Sequence, residues 1–350
     1  MPHNFNISNP TSSRSTRASP SRMQSLPTDA RLGKVVRVLF DYSTIVVSGT
    51  KLAQEIGTSR TEVWRLVQQL RRFGVSIEGH PATGYRLRTV PDLLLPEILA
   101  PLLRSTIFAH EIHHYFKAGS TNTLAMEAAA AGAPEGTVFL AEQQTAGRGR
   151  ANHTWHSAHG TGIYCSVILR PKLPPSEVLV ISLAAALAVQ NAVQSKKLPI
   201  DLKWPNDLLI GDRKFSGILT EMNSEATRIR HIVVGFGINV NQISFPEELH
   251  LSATSLRLAT GHEWSRVEVC AALLKSFDRE YRTLLEQPNA RESILLRFQE
   301  RSSYVKGRQI FVDENGGFHG VTYGLDDRGF LRVHTAHGIR LVLSGSIRPV

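Results

Sequence analysis

Apolar residues recur at Val63, Leu66, Val67, Leu70 and Phe73, the spacing of a helix with one buried face, while Thr61, Arg65, Gln68 and Arg72 fall on the opposite side. Ser59 and Glu62 stand in front of that run as the S-x-x-E pair of a capping box. Upstream the pattern predicts an apolar helix near 34–42, a short helix over 50–56 and a turn at Gly57-Thr58. Downstream, two short strands flank 79–84, the second carrying Tyr85-Arg86-Leu87-Arg88. Helix, turn, capped helix and hairpin in this order predict a winged helix-turn-helix over 31–90.

Beyond it the period changes repeatedly. Strands are expected at 112–117, 137–143, 162–169, 200–203, 215–222 and 231–240, with helices at 123–131 and 176–193 and a helical stretch from 265 to about 300. This is an α+β layer in which helices cover a mostly antiparallel sheet. After Ser303, short β runs punctuated by Gly307, Gly316-Gly317, Gly324, Gly329 and Gly338 suit a small β barrel. The domain plan is therefore a disordered tail at 1–30, a helix-turn-helix at 31–90, a catalytic body at 91–302 and a barrel at 303–350.

Charge sharpens the division. Residues 1–90 hold thirteen Lys/Arg against five Asp/Glu, so most of the net +10 lies at the front of the chain and points to a polyanion there, not on the body. The tail is rich in Ser, Thr, Pro and Arg but lacks the apolar face of a transit helix or the core of a secretory signal. No apolar run is expected to reach bilayer length, and the two cysteines, Cys165 and Cys270, lack C-x-x-C spacing, so a reducing cytoplasm fits.

Four segments carry candidate chemistry. In Gly147-Arg148-Gly149-Arg150 the glycines let backbone approach an anion and the guanidiniums add planar charged donors, as a phosphate or carboxylate requires. Trp155 adds a stacking face, and Gln144 an amide for a neutral polar ligand. Lys203-Trp204-Pro205-Asn206-Asp207 sets a strand end, a turn and a carboxylate together; Lys214 then opens another strand, with Gly217 leaving room beside it. Such a lysine stabilises an oxyanion developing at phosphorus. Gly235-Phe236-Gly237-Ile238-Asn239-Val240-Asn241 places Val240 where a dinucleotide fingerprint needs glycine, so its glycines are read as letting a flat ligand lie on a strand, with Asn239 addressing a base edge. Ser120-Thr121-Asn122 precedes an alanine-rich helix, where Ser120 or Thr121 serves as N-cap. His110-Glu111-Ile112-His113-His114 fits H-E-x-x-H, but on a strand its outer histidines lie about 13 Å apart, so no protein-bound zinc is expected.

In this order the segments resemble the biotin–protein ligase family in its bifunctional, operon-repressing form, over about residues 31–350. The resemblance implies a class II aminoacyl-tRNA synthetase-like mixed sheet with helices between the winged helix and an SH3-like barrel. It implies that biotin and ATP, with Mg²⁺, give biotinyl-5′-AMP, which a lysine of the biotin carboxyl carrier protein of acetyl-CoA carboxylase then attacks. Ser120, Thr121, Asn122 and Gln144 are expected at biotin, with Gly147, Arg148, Arg150, Lys214 and Gly217; Arg150, Trp155, Asn206 and Asn239 at the nucleotide; Arg148, Arg150, Lys214 and Asp207 in catalysis. Asp207 stands open between the metal and the acceptor lysine. Ser59, Arg60, Thr61, Arg65, Gln68 and Arg86 are expected at operator DNA, and the adenylate is expected to promote a homodimer, with no membrane partner. Many relatives continue the arginine loop with further basic residues, where this chain has Ala151-Asn152-His153-Thr154. A ligase whose winged helix serves only as a structural or interaction module, a lipoate ligase, and a transcription factor with a catalytically inert sensor domain are the competing readings.

Overall fold

The computed structural model describes residues 28–80, 83–89, 92–193, 198–226, 228–314 and 316–350. All but the last three residues of the expected tail lie outside that range. Those three open a helix, α1 (Thr28–Asp41), which therefore starts earlier than its apolar pattern predicts.

Helices α2 (Gly49–Ile56) and α3 (Arg60–Arg72) follow, then the antiparallel hairpin β1 (Ile77–His80) and β2 (Gly84–Leu87). Leu32, Val35, Leu39, Leu52, Val63, Leu66, Val67 and Leu70 close the core between the three helices. Gly57 ends α2 at φ 72°, the left-handed region where glycine carries no side-chain penalty. The Ser59 hydroxyl caps α3 by accepting from the Glu62 amide at 3.2 Å. The Glu62 carboxylate, expected to return to the cap, is taken by Arg65 at 2.8 and 2.7 Å and by Arg31 at 3.4 Å. Phe73 is only half-buried: it stacks at 4.9 Å on both Phe116 and His159, joining the end of α3 to the body.

After α4 (Pro96–Leu102), the body is one seven-stranded sheet. Its strands in chain order are β3 (Ile112–Tyr115), β4 (Val138–Ala141), β5 (Gly162–Leu169), β6 (Ile200–Lys203), β7 (Asp207–Ile210), β8 (Arg213–Ser224) and β9 (Ile229–Asn239). They pair in the order β3-β4-β5-β9-β8-β7-β6, with only β3–β4 parallel. The expected strands are all present, while β7 is an addition: four residues following a turn are too few to show a period. Helix α5 (Thr121–Ala130) covers one face. Helix α6 (Val178–Val193), the short α7 (Leu256–Thr260), α8 (Arg266–Glu286) and α9 (Ala290–Glu300) complete the helices.

One expectation fails on composition. Pro175–Val193 forms a 19-residue apolar stretch of mean hydropathy 1.6, long enough to cross a bilayer. It is apolar on all sides because it is the central core helix, with Ile181, Leu183, Ala184 and Leu187 fully or almost fully buried.

The terminal unit is also different from its expectation. Strands β10 (Lys306–Asp313), β11 (Phe318–Leu325), β12 (Leu331–Thr335), β13 (Gly338–Val342) and β14 (Ser346–Pro349) form an open sheet in the order β13-β12-β11-β10-β14. Among the described residues β13 and β14 are not paired, so no barrel closes. Glu314 accepts from the amides of Leu343 and Ser344 at 3.1 and 2.6 Å and holds the chain between them in a turn. Ile310, Leu331, Val333 and Ile347 join the body's own core, and Trp204 donates its indole N–H to Gly329 O at 2.9 Å across the junction.

Candidate active site

The N-terminus of α5 meets the middle of the sheet through a buried polar network. Ser120, expected as a possible cap, makes no side-chain cap bond; Gln144 Oε1 accepts from the Thr121 amide at 2.8 Å instead and lies 3.2 Å from Thr121 Oγ1. Gln144 Nε2 donates to Ser157 Oγ at 2.9 Å, which fixes the amide's orientation. Asn122 accepts from Ser166 Oγ at 2.6 Å and donates to Glu221 Oε2 at 3.0 Å. Thr121 and Asn122 are thus held by the sheet before any ligand arrives.

The arginine loop runs over this network. A Cβ on Gly147 would lie 2.5 Å from Trp155 O and 3.0 Å from Gln144 Nε2, so the loop approaches the network as closely as it does only with glycine there. Arg148 reaches Glu221 at 2.7 Å, the carboxylate that also receives Asn122. Arg150 is largely buried and reaches Asn206 Oδ1 at 3.4 Å; burial lowers its pKa, opposed by Asp207, yet a guanidinium remains charged at neutral pH. Ala151 next to it is held at φ 51°, a conformation that costs an alanine about 1–2 kcal/mol. Trp155 lies flat against the sheet: a Cβ on Gly237 would sit 2.5 Å from its Cε2, and one on Gly217 3.1 Å from its Cζ3. The flat group that Gly237 and Gly217 accommodate is therefore this indole, while Gly235 makes room for the Asn122 side chain. Its buried Nε1 has no partner among the described residues.

On the far side of the indole, β6 and β7 place Lys203 opposite Asp207. Lys214 Nζ lies 2.6 Å from Asp207 Oδ1 and 5.3 Å from the centre of the Trp155 ring. Two cavities share this wall. The first, of about 490 Å³, is lined by Ser120, Thr121, Asn122, Gln144, Arg148, Arg150, Asp207, Lys214 and Gly217, the residues expected at biotin and in catalysis apart from Gly147, and by Trp155 and Asn206, two of those expected at the nucleotide. The second, of about 580 Å³, holds Asn239, with Trp155, Lys203, Asp207 and Lys214 again in its lining. Asn239 is buried, donating to Thr254 O at 3.1 Å and accepting from Gln242 at 3.2 Å.

Residues 116–239 match the biotin/lipoate A/B protein ligase family, 31–86 an HTH domain and 307–348 a biotin protein ligase C-terminal domain. The bifunctional ligase/repressor BirA of Bacillus spizizenii is 37% identical over 86% of this chain and 93% of its own. The chain belongs to the bifunctional biotin–protein ligase/repressor family. The E. coli BirA is 27% identical over 86% of this chain and 92% of its own. Among solved structures, the biotin protein ligase from Aquifex aeolicus in complex with biotin and ATP is 30% identical, covering 69% of this chain and 100% of that one with a TM-score of 0.60.

Two cations of this ligase site, Lys203 and Arg308, were not singled out from sequence. Lys203 lines both cavities; burial first, then Lys214, Arg308 and Arg348, lower its pKa against the pull of Asp207. Lys203 stood inside a recognised segment and could have been chosen. Arg308 comes from the terminal sheet and lines the second cavity; no spacing relates it to the rest, and only the shared core brings it in. The H-E-x-x-H segment is on β3 and the turn before it, with His114 3.0 Å from Glu142 and His113 2.9 Å from Glu111.

In the helix-turn-helix, Arg60, Thr61 and Arg65 are exposed and Gln68 half-buried along α3, while Ser59 is occupied as the cap. Arg65 is paired with Glu62, and Arg86 and Arg88 share Glu78 at 2.9 and 3.2 Å.

Proposed function

We infer that this protein joins biotin to ATP as biotinyl-5′-AMP and passes the biotinyl group to a lysine of a biotin carboxyl carrier protein, and that its N-terminal module represses biotin-synthesis genes. The observation that carries the chemistry is the convergence of Arg150, Lys214 and Trp155, from three separated segments, on the cavity that also contains Thr121 and Gln144.

The Thr121–Gln144 network offers paired donors and acceptors to the ureido end of biotin. Arg148, Arg150 and Lys214 face the carboxylate and phosphates. As the carboxylate oxygen attacks the α-phosphorus and pyrophosphate leaves, negative charge grows on the phosphoryl oxygens, and Lys214 opposes it without reorganisation. Lys203 and Arg308, which line the second cavity, extend the positive field toward the departing pyrophosphate. Trp155, which lines both cavities, offers its ring to adenine. Closure of the Arg148–Arg150 loop keeps water from the mixed anhydride until the acceptor amine attacks its carbonyl and AMP departs.

Magnesium is usually held by one or two carboxylates together with substrate phosphates, and Asp207 on the shared wall meets that requirement. When bound, it supplies further neutralisation of phosphate charge. The same position leaves Asp207 available to receive a proton from the acceptor lysine in the second step.

For repression, a basic α3 and hairpin present charge to duplex DNA, and adenylate-bound copies pair to read a two-part operator. The two buried free cysteines, Cys165 and Cys270, fit a reducing cytoplasm.

The experiment is mass spectrometry of a purified carrier domain after incubation with biotin, MgATP and this protein. A gain of one biotinyl group on a single lysine is expected, and an unmodified carrier overturns the ligase reading.

A further inference from the structure

The face of α3 holds a residue that charge reading passes over. Trp64 is 56% exposed, between Val63 and Leu66 at 0%. Holding an indole in water forgoes the burial that makes tryptophan worth having in a small module, so its position calls for an occupant.

At about 100° per residue, Trp64 lies not opposite the core but on the flank of α3 that carries Arg60 and Arg71. That flank borders the hairpin. Arg71 donates to Ile77 O at 3.1 and 2.9 Å, and the Cβ position of Gly49 is 3.8 Å from Arg60 Nε and 3.7 Å from Tyr85 Cε2. Trp64 thus marks the seam between recognition helix and wing. With α3 in a major groove and the hairpin over the adjoining groove, a sugar-phosphate strand crosses that seam.

The charges support the same occupant. Residues 31–90 carry ten Lys/Arg against four Asp/Glu. Arg65 is bound to Glu62 and Arg86 and Arg88 to Glu78, whereas Arg60, one turn before Trp64, is in no ion pair among the described residues.

We propose that Trp64 packs on the deoxyribose-phosphate strand of duplex DNA at the helix–wing seam, as an uncharged affinity anchor beside Arg60. Its ring covers a sugar and its N–H donates to a phosphate oxygen. It discriminates no base, and it releases no counterion on binding. This inference rests on the module being a DNA binder, and the test separates the two.

Full-length protein, with biotin and MgATP, is titrated into a labelled mixed-sequence duplex over a series of salt concentrations. Wild type is expected to show a log–log slope near −4 to −5, for about five phosphate contacts. Trp64→Ala is expected to weaken binding about tenfold at every salt concentration with the slope unchanged, the size of a lost aromatic contact to nucleic acid. Trp64→Phe, which keeps the ring and loses the N–H, falls between them. Arg60→Ala weakens binding and makes the slope shallower by about one. Alanine is the stronger helix former at an exposed position, so the module stays folded. Wild-type binding matched by Trp64→Ala, or a slope altered by it, overturns the proposal alone. If wild type fails to bind any duplex at low salt, the DNA-binding reading falls with it.

Discussion

Lys214 Nζ lies 2.6 Å from Asp207 Oδ1, so the cation on the shared wall is already aimed by a carboxylate before phosphate is present. An ammonium held there opposes charge growing at the α-phosphorus, and loss of one such donor lowers turnover by about a hundredfold or more. Lys214→Ala is expected to depress biotin-dependent ATP–pyrophosphate exchange by that factor. Transfer from preformed biotinyl-5′-AMP should suffer less. An exchange rate within a few-fold of wild type removes Lys214 from the charge-stabilising role.

Arg150 makes a different kind of contribution. It is mostly buried, it reaches Asn206 only weakly at 3.4 Å, and the adjoining Ala151 sits in a strained left-handed conformation. The loop is thus poised to rearrange around a ligand instead of being fixed without one. Arg150→Gly is expected to release biotinyl-5′-AMP faster while synthesis is less affected, visible as adenylate accumulating in solution. Retention equal to wild type contradicts the assignment.

The order of elements and the residues that line the first cavity were legible because they depend on local signals: the 3.6 period of α3, the cap at Ser59 and the glycine-arginine loop. What the sequence could not show depends on partners far along the chain. No local pattern shows that β13 and β14 stay apart, and Arg308 enters the second cavity only through a common core with the body. The helix over 176–193 is legible as a buried one, and only its bilayer length departs from expectation: apolarity on every side describes a helix surrounded by protein as well as one in lipid.

The space that Gly237 leaves on its strand, which the sequence pattern assigns to a ligand, is filled by the Trp155 indole. A methyl at 237 would press on Cε2 and Nε1 from 2.5 and 2.7 Å, forcing the ring off the sheet. Gly237→Ala is therefore expected to raise KM for ATP at least tenfold, a shift of about 1.4 kcal/mol, while KM for biotin moves less because the Thr121–Gln144 network lies on the other side of the loop. Steady-state kinetics with each substrate varied in turn checks this. An equal rise in both constants means that the indole does not face the nucleotide.

Glu142 lies two residues before Gln144 and is completely buried, with Arg266 at 2.6 Å, His114 at 3.0 Å and the Leu94 amide donating to it at 3.0 Å. Burial pushes its pKa up, but Arg266 and His114 outweigh that and hold it at about 2, below the ordinary 4.5. A carboxyl depressed in the folded state stabilises it fully above about pH 4.5 and loses that contribution as the pH falls toward 2. Arg266 also takes Asp92 at 3.2 Å, so this one charge group ties the segment after the helix-turn-helix to the sheet. Glu142→Gln leaves Arg266 with less compensation and is expected to cost on the order of 3 kcal/mol at neutral pH. In urea unfolding from neutral pH to about pH 3, the gap between wild type and variant should narrow on acidification, since wild type alone gives up the carboxylate's contribution. A gap that stays constant over the whole range shows that the Glu142 charge does not hold the junction together.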